Sequence, residues 1–551
     1  MSPEEAEVDR AMAAAWPQAQ RYWSTFLLLS PPAHSDEHDS VAWMHLGHRQ
    51  VSFNRTLIAR KKLTASAEAI LAHEVGHHVR FPASLSVEAR LRLLEKPLLP
   101  IPDHSFTNLF EDLMINERLG HPLRDQLAAV YRAFRDELRW KRDSAFFFYM
   151  VVYEELWQLA PGDLTGRELA AFEEAHPGCR ADAQLLVQNL FRLGPNLYTQ
   201  FLYFVSVLLR YVDLEKDKKF EEQDPYQCGR GQPTPDDWAD ALNQGARERE
   251  AIARALREGW ISEADAKRLG GEVEHRVGGL PGHGTADAEL VPEIMAAWYR
   301  QQAERYLMRP PPRRLMGEAV VPTTLEEWSP SDPVQLIDWV ATYTERGDVL
   351  GPAQPLRRER LADYEGEDVP LWQPRVELYL DVSGSMPDPR HAINAMTLAA
   401  QILATGAIRA QGWARAVLYS TGTVRYWEWC RSERELSRFL MHYIGAGTEF
   451  PFELLEESVT ERVRGQPIRV IITDHDFHKN YEARPENADI LRRAIAAAPV
   501  ILLLHTDDET LSLPYARLGA RVVSVLELVD FPGMAVKLSN ALFERDSHAV
   551  R

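Results

Sequence analysis

The feature that most constrains this chain is a pair of histidines four residues apart, His73 and His77, with Glu74 between them in the segment HEVGH. The surrounding segment, 65–80, has the apolar spacing of an amphipathic helix. Residues four apart lie on the same face of a helix, so both imidazoles can point at one metal ion. Two histidine nitrogens suit Zn²⁺, and a neighbouring glutamate can take a proton from a metal-bound water.

A third zinc ligand must come from elsewhere, because a catalytic zinc site has three protein ligands and a water. The predicted helix at 106–119, which we expect to end at Gly120, supplies Glu111 and Asp112. Neighbouring side chains point about 100° apart on a helix, so only one of the two can face the metal. We favour Asp112, because it shares a stripe with Asn116, whose amide can orient a ligating histidine. Glu111 stays open as the alternative third ligand.

The composition is that of a folded, soluble protein with several domains. At 551 residues the chain is too long for one hydrophobic core. Its formal charge of −19 argues against general binding to nucleic acid or to an acidic membrane. The apolar stretches are too short for a membrane span and no signal peptide is visible, which favours a cytoplasmic protein. The scattered cysteines agree with a reducing compartment.

Four regions are predicted along the chain. Region 1–125 holds the HEVGH helix, preceded by a predicted strand at 51–58. Region 126–215 is rich in aromatic residues and is predicted to be a buried helical extension. Region 216–370 is broken by charged and Gly/Pro-rich segments, which predict linkers with helices between them. Region 371–551 alternates short apolar runs with amphipathic helices, which predicts a doubly wound α/β parallel sheet.

A second metal motif follows the apolar strand VELYL in the last region. Asp381, Ser383 and Ser385 form D-x-S-x-S, which presents a carboxylate and two hydroxyls at the carboxyl end of the strand. Thr448 lies in the glycine-rich segment GAGTEF, and Asp474 ends the apolar strand IRVIITD. Hard oxygen ligands of this kind favour Mg²⁺, with Mn²⁺ or Ca²⁺ as alternatives.

The N-terminal motif resembles that of the gluzincin metallopeptidases, H-E-x-x-H followed by E-x-x-x-D. In this comparison Asp112 replaces the usual glutamate ligand and Asn116 the usual aspartate. A similar N-x-x-x-D-x-x-I-N pattern also occurs in bacterial proteins that join a zincin-like N-terminal domain to a von Willebrand factor A domain. The resemblance implies an α-rich, zincin-like α+β domain over 1–125, in which His73, His77 and Asp112 bind zinc and Glu74 is the catalytic residue.

The C-terminal motif resembles the metal-ion-dependent adhesion site, or MIDAS, of von Willebrand factor A domains. Asp381, Ser383 and Ser385 match its first loop, Thr448 its second and Asp474 its third. The resemblance implies a doubly wound, Rossmann-like domain over 371–551. Incomplete coordination at such a site lets an Asp or Glu of a partner protein complete the Mg²⁺ shell.

Two functions of different classes follow from these resemblances. The first is a zinc metallopeptidase acting on a peptide or protein substrate, with the A domain recruiting a partner and the strand at 51–58 pairing with an extended substrate. The alternative is a non-catalytic adaptor of a MoxR-type AAA+ ATPase in complex assembly or metal insertion. Proteins with this pairing of domains resemble partners of such ATPases, and the chain has no P-loop motif of its own.

Overall fold

The computed structural model describes most of the chain, with gaps between several segments. The described ranges are 2–100, 105–135, 144–213, 231–271, 273–280, 290–307, 321–347, 354–361, 373–461 and 466–543. The predicted linker sequences at 215–224 and 309–314 lie outside them, as do the last four residues of the one at 278–284. Within the described ranges, none of the helices combines the length and the apolar character that crossing a membrane requires.

The N-terminal half is helical, with one small sheet. Its helices are α1 Pro3–Arg21, α2 Arg55–Arg60, α3 Ala67–Val79, α4 Leu85–Glu95, α5 Thr107–Phe134, α6 Ser144–Leu156, α7 Leu169–Ala175, α8 Cys179–Leu190 and α9 Leu197–Leu208. Its strands are β1 Ala33–His34, β2 Ala42–His45 and β3 Gln50–Phe53. The predicted aromatic core is confirmed, because α6 is buried over almost its whole length.

The strand expected at 51–58 is shorter than predicted and lies inside the sheet. It ends at Phe53, after which Asn54 accepts a hydrogen bond from the backbone N–H of Leu57 at 2.9 Å and begins α2. The strand order is β1-β3-β2, with β3 in the middle. The expectation that this strand pairs with an extended substrate is therefore wrong, since strands of the protein itself lie on both sides of β3.

Gly120 does not end its helix, contrary to the prediction, and α5 continues to Phe134. A Cβ atom at Gly120 would lie 2.8 Å from the indole nitrogen of Trp157. The glycine is therefore needed for a close approach between two elements and not for a helix stop. Proline at position 122 is also accommodated within α5.

Helix α3 lies in the middle of the N-terminal half, between α1 and α5. The indole N–H of Trp23, just after α1, donates to the Ala72 carbonyl of α3 at 2.7 Å. A Cβ at Gly76 would lie 2.5 Å from Trp23 and 2.8 Å from Ile115 of α5. Only glycine at this position allows α3 to pack so closely against both neighbours.

The middle of the chain adds a second helical layer and a small antiparallel pair. Its elements are α10 Pro235–Leu242, α11 Ala246–Arg257, α12 Glu263–Leu269, α13 Val273–Val277, α14 Leu290–Tyr306, β4 Val321–Glu327, α15 Trp339–Arg346 and β5 Leu356–Leu361. Arg90 of α4 connects this layer to the N-terminal half. Its guanidinium forms ion pairs with Asp240 at 2.9 Å and with Glu248 at 2.6 Å.

The C-terminal part is a six-stranded α/β unit. Its strands are β6 Arg375–Asp381, β7 Trp413–Ser420, β8 Thr423–Tyr426, β9 Ile468–Asp474, β10 Val500–His505 and β11 Arg521–Val525. Its helices are α16 Ala395–Arg409, α17 Glu433–Leu440, α18 Phe452–Thr460, α19 Asp476–Ala483, α20 Pro485–Ala497, α21 Leu513–Arg517 and α22 Phe531–Phe543. The strand order is β11-β10-β9-β6-β7-β8, and only β8 runs antiparallel to its neighbour.

Both faces of this sheet are covered, as the alternation of strands and helices predicts. Leu378 and Leu380 of β6 point into one core, which they share with α14, α16, α17 and α22. Tyr379, between them, points into a second core with α18, α20 and α21. The described ranges thus form a helix-rich, multidomain protein that ends in a mostly parallel, six-stranded sheet.

We predict that Gly76→Ala destabilises the protein, because the added methyl group would overlap Trp23 and Ile115. The free energy of unfolding should fall by about 1–3 kcal/mol, the usual cost of overpacking. Urea denaturation measures this change. Gly533→Ala in α22 is the matched control, since no atom lies within 4 Å of its added Cβ. Equal destabilisation by both variants would show that the close packing of α3 is unimportant.

Candidate metal centres

Helices α3 and α5 bring together three side chains that can hold a metal ion. Among the histidine, cysteine and acidic side chains of the described ranges, His73, His77 and Asp112 form the one such group. The Nε2 atoms of His73 and His77 are 3.2 Å apart. Asp112 Oδ1 lies 3.4 Å from His73 Nε2 and 3.1 Å from His77 Nε2. Tetrahedral ligands at about 2.0–2.1 Å from zinc lie roughly 3.3 Å apart. The donor set and its spacing therefore fit Zn²⁺.

Backbone and amide acceptors hold both imidazoles in the orientation that a metal needs. His73 Nδ1 donates to Asn116 Oδ1 at 2.8 Å, and His77 Nδ1 donates to the Phe81 carbonyl at 2.7 Å. With the proton on Nδ1, each Nε2 presents its lone pair as a metal ligand would. Asn108 donates to Asp112 Oδ2 at 3.2 Å, which leaves Oδ1 facing the histidines.

The start of α5 is held by a buried carboxylate at the end of α4. Glu95 accepts hydrogen bonds from the Ser105 hydroxyl at 2.5 Å, the Phe106 N–H at 2.7 Å and the Thr107 hydroxyl at 3.0 Å. Burial raises the pKa of Glu95 to about 7, although these three donors oppose the shift. This contact anchors the helix that carries Asp112.

The remaining predicted residues of this centre are buried with it. Glu74 and Glu111 have no exposed surface, and neither do the three candidate ligands. Asp112 lies in the cluster with the histidines and Glu111 does not, so the geometry favours Asp112 as the third ligand. A peptide could reach this centre only after a change in conformation.

Two tyrosines behind the centre were not anticipated as part of it. The amide nitrogen of Asn116 donates to Tyr153 Oη at 2.7 Å and to Tyr131 Oη at 3.2 Å. Tyr153 belongs to the aromatic segment that the sequence assigned only to a hydrophobic core. The available signal was the spacing of Tyr149 and Tyr153, which places two hydroxyls on one face of α6.

The C-terminal candidate lies at the carboxyl edge of the large sheet. Asp381 ends β6 and Asp474 ends β9, and these two strands are neighbours. From β6 the chain continues on one side to β7, whereas β9 lies on the other side. Ligands of open α/β sheets bind at this kind of switch point.

Hydrogen bonds join the predicted first-loop residues to Asp474. Ser383 and Ser385 have their hydroxyl oxygens 3.0 Å apart, and the Ser385 hydroxyl donates to Asp474 Oδ2 at 3.0 Å. Asp381 Oδ1 accepts from the backbone N–H of Ser383 at 2.9 Å, and its Oδ2 accepts from the hydroxyl of Thr473 at 3.0 Å. Thr473 was not predicted, although its position near the end of a parallel strand could have indicated it.

Backbone contacts place the loop of Thr448 beside the first loop. The N–H of Gly384 donates to the Ala446 carbonyl at 2.6 Å, and the N–H of Gly445 donates to the Val382 carbonyl at 3.0 Å. The Thr448 carbonyl accepts from the Asn480 side chain at 2.9 Å. The three loops that carry the predicted ligands therefore meet at one edge of the sheet.

The electrostatics of this edge favour a bound cation. Burial raises the pKa of Asp381 to about 6, and the charge of Asp474 adds to this effect. Hydrogen bonds from Ser383 and Thr473 act in the opposite direction. Two carboxylates and three hydroxyls form a hard oxygen donor set, which suits Mg²⁺. Ser385 is exposed, so this centre is open to a partner.

Comparisons with known proteins add little to this geometry. No family model and no curated protein matches the chain. Among solved structures, it is similar to a von Willebrand factor type A protein from Catenulispora acidiphila, with 14% sequence identity and a TM-score of 0.23. The match covers 30% of this chain and 42% of that one, so the chain spans less than half of the length of that protein. A similarity of this size carries no argument about function.

We predict that the purified protein contains about one zinc ion per chain and that His73→Ala and Asp112→Ala lose it. Each substitution removes one ligand of a three-ligand set. Metal analysis by mass spectrometry measures the content, with His78→Ala, on the same helix, as the control. Zinc that survives Asp112→Ala but not Glu111→Ala would show that Glu111 is the third ligand.

Proposed function

We propose that this protein docks a partner protein through a magnesium ion at its C-terminal centre. The observation that carries the proposal is the convergence of three loops at the switch point of the sheet, beside the exposed Ser385. The ligands would be Asp381, Ser383, Ser385, Thr448 and Asp474, in a von Willebrand factor A domain over 371–551. When bound, magnesium supplies an open coordination position for an oxygen ligand.

The side chains of the protein prepare this position for an acidic partner. Ser385 is held by Asp474 at 3.0 Å, and Asp381 is held by Thr473 at 3.0 Å, so the oxygen ligands are oriented before a partner arrives. A carboxylate of the partner would then complete the coordination shell and make binding dependent on the cation. The sequence resemblance implies a MoxR-type AAA+ ATPase as the partner. In this proposal the protein and its partner meet in the cytoplasm.

We predict that Asp381→Ala abolishes magnesium binding, because it removes one of the two buried carboxylates of the centre. Isothermal titration with MgCl₂ should show about one site in the wild type and none in the variant. Asp388→Ala is the control, since Asp388 pairs with Arg390 at 2.6 Å within the same loop. Partners captured by the wild type should be released by EDTA and absent with Asp381→Ala. Unchanged magnesium binding in that variant would refute the docking proposal.

A second candidate function is that of a zinc metallopeptidase, with a zincin-like domain over 1–125. It is favoured by Glu74, which is fully buried and directly follows His73, one of a zinc-type donor set of two histidines and one carboxylate. When bound, zinc would polarise a water and the carbonyl of a peptide substrate. In this function Glu74 would act as the general base, while Asn116 and the Phe81 carbonyl hold the two imidazoles in place. The regions 126–215 and 216–370 would serve as a helical extension and a linker region.

We predict that Glu74→Gln retains zinc but abolishes peptide hydrolysis, because the amide cannot accept the proton. A library of quenched fluorescent peptides measures activity, and Glu68→Gln, in the first turn of α3, is the control. If the protein is only an adaptor, Glu74→Gln is silent and Asp381→Ala alone impairs its function. Hydrolysis that persists in Glu74→Gln would exclude this centre as the catalytic one.

A further inference from the structure

A chain of hydrogen bonds runs from the N-terminal metal centre into the aromatic layer behind it. It begins at His73 Nδ1, passes through the side-chain amide of Asn116 and reaches Tyr153 Oη. Tyr153 Oη lies 2.9 Å from Tyr149 Oη, which donates to the Leu109 carbonyl at 2.7 Å. All four side chains are fully buried, so these contacts are formed away from water.

The direction of this chain is set at its far end. A backbone carbonyl can only accept a hydrogen bond, so Tyr149 donates its single hydroxyl proton to the Leu109 carbonyl. Tyr149 Oη must then accept from Tyr153, and Tyr153 Oη must in turn accept from Asn116. The amide nitrogen of Asn116 is thereby turned towards the tyrosines, and its oxygen towards His73.

Tyr131 reinforces the same orientation. Its hydroxyl donates to Tyr153 Oη at 3.3 Å, and its oxygen accepts from the amide nitrogen of Asn116 at 3.2 Å. Both N–H groups of the amide can therefore be used on tyrosine oxygens. The opposite orientation of the amide would place two acceptors, its oxygen and the oxygen of Tyr153, against each other.

We propose that Tyr149 and Tyr153 are positioning residues of the zinc centre, which fix the amide of Asn116 so that His73 keeps its proton on Nδ1. An asparagine needs such help, because only one end of its amide is an acceptor. A carboxylate at this position would accept from His73 with either oxygen. The inference rests on the proposed zinc site. It adds two residues that reach the metal only through Asn116 and His73 and that determine which nitrogen of His73 carries the proton.

The experiment measures zinc dissociation constants by chelator competition. Tyr153→Phe and Tyr149→Phe should weaken zinc binding about 10-fold or more, which is typical when a partner behind a metal ligand is lost. Tyr299→Phe is the matched control, since Tyr299 is also fully buried and its hydroxyl donates to a backbone carbonyl, that of Ala392, at 3.2 Å. It should leave zinc affinity unchanged.

A second set of variants separates positioning from a general packing role. In an Asn116→Asp background, Tyr149→Phe should have no effect on zinc affinity, because the symmetric carboxylate needs no orientation. Absorption spectra of the cobalt-substituted proteins should change with Tyr149→Phe only when Asn116 is present. Equal weakening in both backgrounds, or none in either, would overturn the proposal. If the wild-type protein binds no zinc but still shows its magnesium site in the MgCl₂ titration, the zinc centre and this inference are both refuted, whereas the docking proposal stands.

Discussion

The close approach of α3 to α5 is the contact on which the N-terminal centre depends. Gly76 lies between His73 and His77 in α3, and Ile115 of α5 occupies the space that a side chain at Gly76 would need. This contact sets the distance between the helices. It therefore brings Asp112 to 3.1 Å from His77 and Asn116 to 2.8 Å from His73. The HEVGH segment thus supplies two of the candidate ligands, and its glycine provides the gap that lets Asp112 approach them.

A second set of buried contacts joins the two halves of the protein. Arg90 of α4 donates to the Asn243 carbonyl at 2.7 Å, and the Asn243 side chain accepts from Trp298 of α14 at 3.1 Å. The next residue of α14, Tyr299, accepts from the backbone N–H of Asn394, which begins α16 and follows the loop of Ser385 in the chain. Of the two partners of Arg90, Glu248 is fully buried and Asp240 is exposed. Loss of Arg90 would remove a cation from the buried Glu248 carboxylate and so destabilise this connection.

The sequence predicted the large sheet well because its strands are buried on both faces and are separated by helices of clear period. The position of Asp474 at the end of its strand could be predicted for the same reason, since parallel strands align their carboxyl ends. The sequence favoured Asp112 over Glu111 but could not settle the choice, because periodicity shows which residues share a helix face but not what that face packs against. Gly120 was misinterpreted for a similar reason. A glycine can serve a turn or a close contact, and only the position of Trp157 distinguishes them.

The two centres differ in exposure, and their charges are consistent with that difference. In the N-terminal centre, Asp112 would offset part of the charge of Zn²⁺, and Asn116 contributes an acceptor without adding a charge. A carboxylate ligand lowers the penalty of placing a metal ion in a low dielectric. In the C-terminal centre, Asp381 and Asp474 would balance Mg²⁺, and a partner carboxylate would add one negative charge. The added negative charge costs little at an exposed edge, because water and salt screen it there. The weak net attraction also makes docking readily reversible.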